Sequence, residues 1–195
     1  MLVACALVTV TLGAVVFAAD GPLSVDRHAL ALTVAHRSGL VSAARTVSLL
    51  GDPAVLVGLA VLAAVWLWRT RVAALPAAVP LIALLAASAT GTVAKQLVAR
   101  ARPPAVFHLA HESNYSFPSG HATGAAALLV AFALVLAPTL DSSRARTAAV
   151  VGLTLLAAMV GVARLILGVH WVTDIVEGFA LGSGMAILAV VLVAT

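Results

Sequence analysis

The chain has 195 residues, of which 63% are apolar and 9% charged, and its mean hydropathy is +1.16. A soluble domain carries about 25% charged residues, so these values exclude a soluble globular protein and indicate a polytopic membrane protein. The formal net charge is +4, but the basic residues are scattered through short loops between apolar runs, which argues against nucleic acid as a partner.

Leu2–Ala19 is uncharged and long enough to cross about 30 Å of hydrocarbon. It lacks a basic start and a small-x-small cleavage site, so it reads as a retained span. Its Cys5 is the single cysteine, which rules out an internal disulfide framework. Asp20-Gly21-Pro22 ends this span. Val25–Leu50 mixes Asp26, His28, His36, Arg37 and Arg45 with leucine and valine. That pattern suits one or two helices lying at the interface or folded back over the bundle, with His28 and His36 on a solvated polar face.

Gly51-Asp52-Pro53 opens a second span, Ala54–Trp68, where Trp66 and Trp68 beside Arg69 and Arg71 form an interfacial belt with basic anchors. The third span runs from Val72 to Ala94. Lys95–Ser119 is the longest polar excursion of the second half. The fourth, fifth and sixth spans are Gly120–Leu140, Thr147–Leu167 and Val172–Ala194. Gly178, Gly182 and Gly184 give the sixth a face for close helix packing. The expectation is an all-α bundle of six transmembrane helices, one domain over 1–195, with an interfacial helical segment after the first span. Loops after spans two and four carry Arg69, Arg71, Arg144 and Arg146, which the positive-inside rule places in the cytoplasm.

The polar chemistry gathers in the loops after spans three and five. Lys95 and Arg102 are seven apart, two helical turns, so they share a face if the helix continues past the membrane edge. Arg100 reads as a snorkelling interfacial side chain. Phe117-Pro118-Ser119-Gly120-His121 joins a polar loop to an apolar segment. Ser119 fits an N-cap, and Gly120 allows close approach to the backbone. A helix start of this kind is either an ordinary capped terminus or an anion site, and a histidine there can pass a proton to whatever binds. Arg164 lies in or at the end of an apolar span. His170 and Asp174 are four apart, within hydrogen-bond reach on one helix face. They form either a buried polar clasp or an oriented imidazole with one nitrogen free to attack or accept a proton.

Three cations, a helix N-terminus and two histidines suit a phosphoryl group, whose transfer needs positioning and charge stabilisation more than covalent help. No His/Cys/Asp/Glu cluster has metal-ligand spacing, so no metal is expected, and no Walker or Rossmann pattern points to a nucleotide cofactor. His108, His111 and Glu112 read as solvated loop residues, with contact to a head group as the alternative, and Tyr115 and Phe117 as packing or lining at the entrance.

Lys95-x6-Arg102-Pro103, Pro118-Ser119-Gly120-His121 and Arg164-x5-His170-x3-Asp174 together resemble the three-part signature of the type 2 phosphatidic acid phosphatase superfamily. That superfamily holds membrane lipid phosphatases and the soluble vanadium haloperoxidases. The resemblance runs from Lys95 to about Gly182. It implies a metal-independent hydrolase of a lipid phosphomonoester or diphosphate, either phosphatidate or phosphatidylglycerophosphate or an undecaprenyl-type diphosphate. Lys95, Arg102 and Arg164 would hold the phosphate oxygens with Ser119 and the Gly120 backbone. His170 would be the nucleophile that forms a phosphohistidine, oriented by Asp174, and His121 would protonate the leaving group. Family analogy places the site on the extracytoplasmic face of a multi-pass cell-membrane protein. One departure stands out: the motif begins with Ala163 where the family has serine, a loss of about one hydrogen bond, on the order of 1 kcal/mol. A lipid phosphotransferase, and a non-catalytic protein that binds or transports an anionic lipid, are the alternatives. The oligomeric state is not legible.

Overall fold

The structure, a computed structural model, describes residues 1–194. Those residues form eight α-helices and two short 3₁₀ turns. They are α1 (Leu2–Ala18), α2 (Ser24–His36), α3 (Val41–Leu49), α4 (Pro53–Arg69), α5 (Ala74–Val98), α6 (Gly120–Leu136), α7 (Ser143–Ile166) and α8 (Val172–Ala194). The fold is all-α, as expected. Four helices, α5 to α8, are long and apolar enough to cross a membrane. The pair α3 and α4 passes the same test together but bends by 53° at its break, and α1 is apolar but shorter, at 17 residues.

Local chemistry sets the helix ends. Asp52 caps α4, its Oδ1 accepting from the Ala54 N–H at 2.9 Å, and Pro53 stands at the first helical position, where a missing N–H is harmless. Ser142 caps α7 by accepting from the Ala145 N–H at 3.1 Å. Helix α5 stops at Val98 because Ala99 takes a left-handed conformation, φ 47°, and Pro103-Pro104 forbids resumption. Lys95 therefore lies on a helix while Arg102 lies beyond it. The expected common helical face is not how the two converge.

Helix α6 is the central post, buried along most of its length and packed by α4, α5, α7 and α8. The contacts are made by small residues. Ala125, Ala126, Ala157 and Val160 pack with Leu56 and Leu84, and Ala83, Ala87, Ala131 and Ala186 pack with Val79 and Val130. Between helices in lipid the driving force is close packing, which small side chains permit. The glycine face of α8 is used as expected. A Cβ at Gly178 would lie 2.8 Å from the Ser119 carbonyl oxygen, and one at Gly182 would lie 2.9 Å from both the Ala126 Cβ and the Ala127 nitrogen. Gly184 instead faces Cys5 of α1. This close contact holds the N-terminal ends of α6 and α8 against each other.

The Val25–Leu50 stretch becomes two helices. Helix α2 packs on α7 and α8, and α3 packs on α7. His28 and His36 are exposed, as their polar pattern suggests, but Asp26 on α2 is completely buried.

Candidate active site

The three motifs meet at one end of the bundle, where α5 ends, α6 begins, α7 ends and α8 begins. The connecting loops are tied to one another. The Ser119 N–H donates to the Asp174 carbonyl at 3.0 Å, the Ser116 N–H to the Arg100 carbonyl at 2.9 Å, and the Leu109 N–H to the Leu167 carbonyl at 2.9 Å. The Trp171 indole donates to the Ala101 carbonyl at 2.9 Å. Gly168 turns the chain out of α7 with φ 71°, a conformation that glycine adopts without strain.

His170 sits in that turn, one residue before Trp171 and outside α8, so it and Asp174 do not share a helical face as the spacing suggested. They pair all the same: His170 Nδ1 lies 3.2 Å from Asp174 Oδ2, with both side chains almost fully buried. The other ring nitrogen, Nε2, lies 3.1 Å from the Arg102 guanidinium. A guanidinium can only donate, so Nε2 is the acceptor and the ring proton resides on Nδ1, directed at the carboxylate. The imidazole is thus held in the tautomer that presents a lone pair at Nε2. Burial pushes the His170 pKa down to about 4, against the raising effect of Asp174, so the ring is neutral at pH 7.

Arg102 also donates to the Val169 carbonyl at 2.7 Å and to Asn114 Oδ1 at 2.6 Å. Burial lowers its pKa, opposed by Glu112 and Asp174, and a guanidinium remains charged at any working pH. Arg164, in the last turn of α7 and 3% exposed, donates to Ser48 Oγ of α3 at 2.7 Å. Lys95 donates to the Tyr115 carbonyl at 2.7 Å. Lys95, Arg102, Gly120, His121 and His170 line one cavity of about 550 Å³, whose other wall is apolar: Leu56, Val57, Leu84 and Leu85 of α4 and α5. Above Gly120 a Cβ would meet nothing within 4 Å. His121 is in the first turn of α6. The backbone at Gly51 packs so closely on it that a Cβ there would approach its Cδ2 to 2.8 Å.

Ser119 is the N-cap residue of α6, but its side chain makes no capping hydrogen bond. Its Oγ is buried with no partner among the described residues, and so is Arg164 Nε. Unpartnered buried polar atoms are uncommon; these two belong to motif residues gathered at the same helix ends.

Sequence reasoning missed three participants. Glu112 is not a solvated loop residue. Its carboxylate bridges the guanidinium groups of Arg102, at 3.1 Å, and Arg164. Arg100 does not snorkel. It is 8% exposed and joins Asp174 to Asp26. Asp26, assigned to an interfacial segment, is delivered to the site by α2. One signal pointed that way: a carboxylate at Asp174 requires a cation, and with Lys95, Arg102 and Arg164 assigned to an anion, Arg100 was the basic residue left over in that stretch. Of the other loop residues, His111 and Tyr115 are exposed, Phe117 is buried, and His108 Nε2 lies 2.8 Å from the Pro103 carbonyl.

Comparison with known proteins agrees with the motifs. The family model of the PAP2 superfamily matches residues 76–195. Phosphatidylglycerophosphatase B of Bacillus subtilis (strain 168) is 40% identical over 93 residues, covering 46% of this chain and 44% of that protein. The match therefore spans less than half the length of that relative. The crystal structure of a transmembrane PAP2-type phosphatidylglycerolphosphate phosphatase from Bacillus subtilis superposes with a TM-score of 0.86 at 28% identity, over 96% of this chain and 93% of that one.

Proposed function

The chain belongs to the PAP2 superfamily, and from that premise we propose that it is a metal-independent membrane lipid phosphatase working through a phosphohistidine. The observation that carries the reading is the state of His170. Its Nε2 lone pair is presented beside Arg102, its proton is held on Nδ1 by Asp174, and it faces a cavity shared with Lys95 and His121. Nε2 attacks phosphorus, and the phosphorus–oxygen bond to the lipid breaks. Arg102, Lys95 and Arg164 balance the charge on the phosphoryl oxygens, and Ser119 Oγ and the first backbone N–H groups of α6 add neutral donors. His121 gives its proton to the departing oxygen, then takes one from the water that hydrolyses the phosphohistidine.

The apolar wall between α4 and α5 suits the lipid's tail, and phosphatidylglycerophosphate is the substrate suggested by both relatives. We read α1 and α4 to α8 as six crossings of a single transmembrane domain in the cell membrane. The family likeness supports a site on the extracytoplasmic face, and Arg69, Arg71, Arg144 and Arg146 in the short loops at the opposite helix ends are in keeping with it.

The test is phosphate release by the purified chain in detergent with EDTA, offered phosphatidylglycerophosphate, phosphatidic acid and undecaprenyl diphosphate side by side. Release from phosphatidylglycerophosphate that survives EDTA and is lost in His170→Ala is the expected result. Release unchanged in that variant would overturn the nucleophile assignment. Preference for the diphosphate would overturn the substrate.

A further inference from the structure

Behind Asp174, away from the cavity, lies a chain of charges that the reaction does not touch. Arg100 Nη1 donates to Asp174 Oδ1 at 2.5 Å and to Thr173 Oγ1 at 2.7 Å, and Arg100 Nη2 donates to Asp26 Oδ2 at 2.6 Å. The guanidinium lies 5.8 Å from the Trp171 ring centroid. Asp26 is held as firmly. It accepts from the Leu23 N–H at 3.1 Å, the Thr173 N–H at 3.0 Å and the Thr173 hydroxyl at 2.8 Å. Asp26 and Asp174 are fully buried. The order is His170, Asp174, Arg100, Asp26, four groups drawn from the α7–α8 turn, α8, the α5–α6 loop and α2.

We propose that Arg100 and Asp26 are positioning residues for the His170–Asp174 pair, Arg100 by fixing the carboxylate and Asp26 by restoring the negative charge that Arg100 cancels. One consideration supports each half. Arg100 and the Trp171 N–H hold opposite oxygens of Asp174, Oδ1 at 2.5 Å and Oδ2 at 2.9 Å, so the carboxylate cannot rotate away from His170 Nδ1. The charges of Asp174, Arg100 and Asp26 sum to −1. Without Asp26 the sum is zero, and the positive charge that builds on the imidazole as Nε2 bonds phosphorus has no net counter-charge behind it. Without Arg100 the sum is −2 in a buried site, and like charges there oppose ionisation of both carboxylates. This assignment makes α2 part of the catalytic apparatus rather than a surface element. It rests on the reading of His170 as nucleophile.

The titratable and charged groups facing His170 from other elements are Arg102, Lys95 of α5 and the His121 imidazole of α6; none of them is altered in the test. The full chain in detergent is prepared as Asp26→Asn, Arg100→Gln, the double variant and Arg100→Lys. Two quantities are read: kcat and KM on the lipid phosphate cleaved fastest in the comparison above, and the titration of the His170 ring by NMR with ¹⁵N-labelled histidine. Both single variants lose kcat by about tenfold or more while KM stays within about threefold, the pattern of a positioning loss. The His170 titration moves in opposite directions, up by about one unit in Arg100→Gln, where a cation is removed, and down in Asp26→Asn, where an anion is removed. The double variant returns the titration towards that of the native chain and recovers part of kcat. Arg100→Lys keeps the charge, so its titration stays near native. A merely structural network lowers the melting temperature and the active fraction without opposite titration shifts, and that result overturns the proposal. Native kcat in both single variants overturns it as well. If His170→Ala still hydrolyses lipid, the nucleophile reading fails first and takes this one with it. If His170→Ala is inactive and the Asp26 and Arg100 variants behave as native, this proposal alone fails.

Discussion

Asp174→Asn is the substitution that the site geometry resolves most sharply. The carboxylate of Asp174 accepts from Arg100 at Oδ1, 2.5 Å, and from the Trp171 N–H and His170 Nδ1 at Oδ2, 2.9 and 3.2 Å. Every approach to it is therefore a donor, and an amide must turn its NH₂ towards one of them. If the NH₂ faces Arg100, a charge-assisted hydrogen bond worth about 1.5–3 kcal/mol is lost, although the tautomer of His170 survives. The amide then offers no charge to the imidazole as it becomes cationic. Two unit charges about 4 Å apart interact by about 4 kcal/mol at an effective dielectric of about 20, or about three decades of rate. If the NH₂ faces His170, the ring proton moves to Nε2, the nitrogen that should attack, and the chemistry stops. In a serine protease the analogous exchange lowers kcat by about 10⁴. Either orientation leads to a fall in kcat on the order of 10³-fold or more, with KM nearly unchanged, since Asp174 does not line the cavity. The assay is steady-state phosphate release, together with single-turnover trapping of labelled, acid-labile phosphohistidine. A kcat within about tenfold of the native chain would refute the tautomer and charge argument.

Three other outcomes follow from the same geometry. In Glu112→Gln the carboxylate that bridges Arg102 and Arg164 no longer competes with the phosphate, so KM should fall severalfold and inorganic tungstate should inhibit at lower concentration; a tenfold rise in KM would show that Glu112 supports the site instead. Ser119→Ala removes a buried hydroxyl that has no partner among the described residues, so the melting temperature in detergent should hold or rise slightly while kcat/KM falls about tenfold, the worth of one hydrogen bond in the transition state; an equal loss of stability would point to a structural role. The depressed pKa of His170, about 4 against an ordinary 6.5, means that the unfolded chain binds the extra proton first. This contribution to stability is complete above about pH 6.5 and is lost as pH falls towards 4. The melting temperature of the native chain should drop across that window more than that of His170→Ala, and parallel curves would contradict the assignment.

The amino-acid sequence alone determined the class of molecule, most of the helices and the candidate residues that the structure gathers at one end of the bundle. The apolar runs became α1 and α4 to α8 with ends shifted by a few residues, because hydrophobic length, proline and capping residues act within a turn or two of where they stand. Motif residues Lys95, Arg102, His121, His170 and Asp174 could be named as candidates because few side chains suit a phosphoryl group and because their spacing resembles the family signature. The tertiary structure decided what lies around them. Whether Arg100 snorkels or is buried depends on an aspartate 74 positions away, and Asp26 reaches Thr173 across 147. No periodicity records such a pairing. Glu112 looks like any loop glutamate until Arg102 and Arg164 converge on it from separate segments. The left-handed turn at Ala99 takes Arg102 off the helix that its spacing from Lys95 suggested. Burial is the physical reason for the charge pairings. A charge placed in a low-dielectric interior must find its opposite there, and which opposite it finds is fixed by helix packing, to which the local sequence contributes only the shape of each surface.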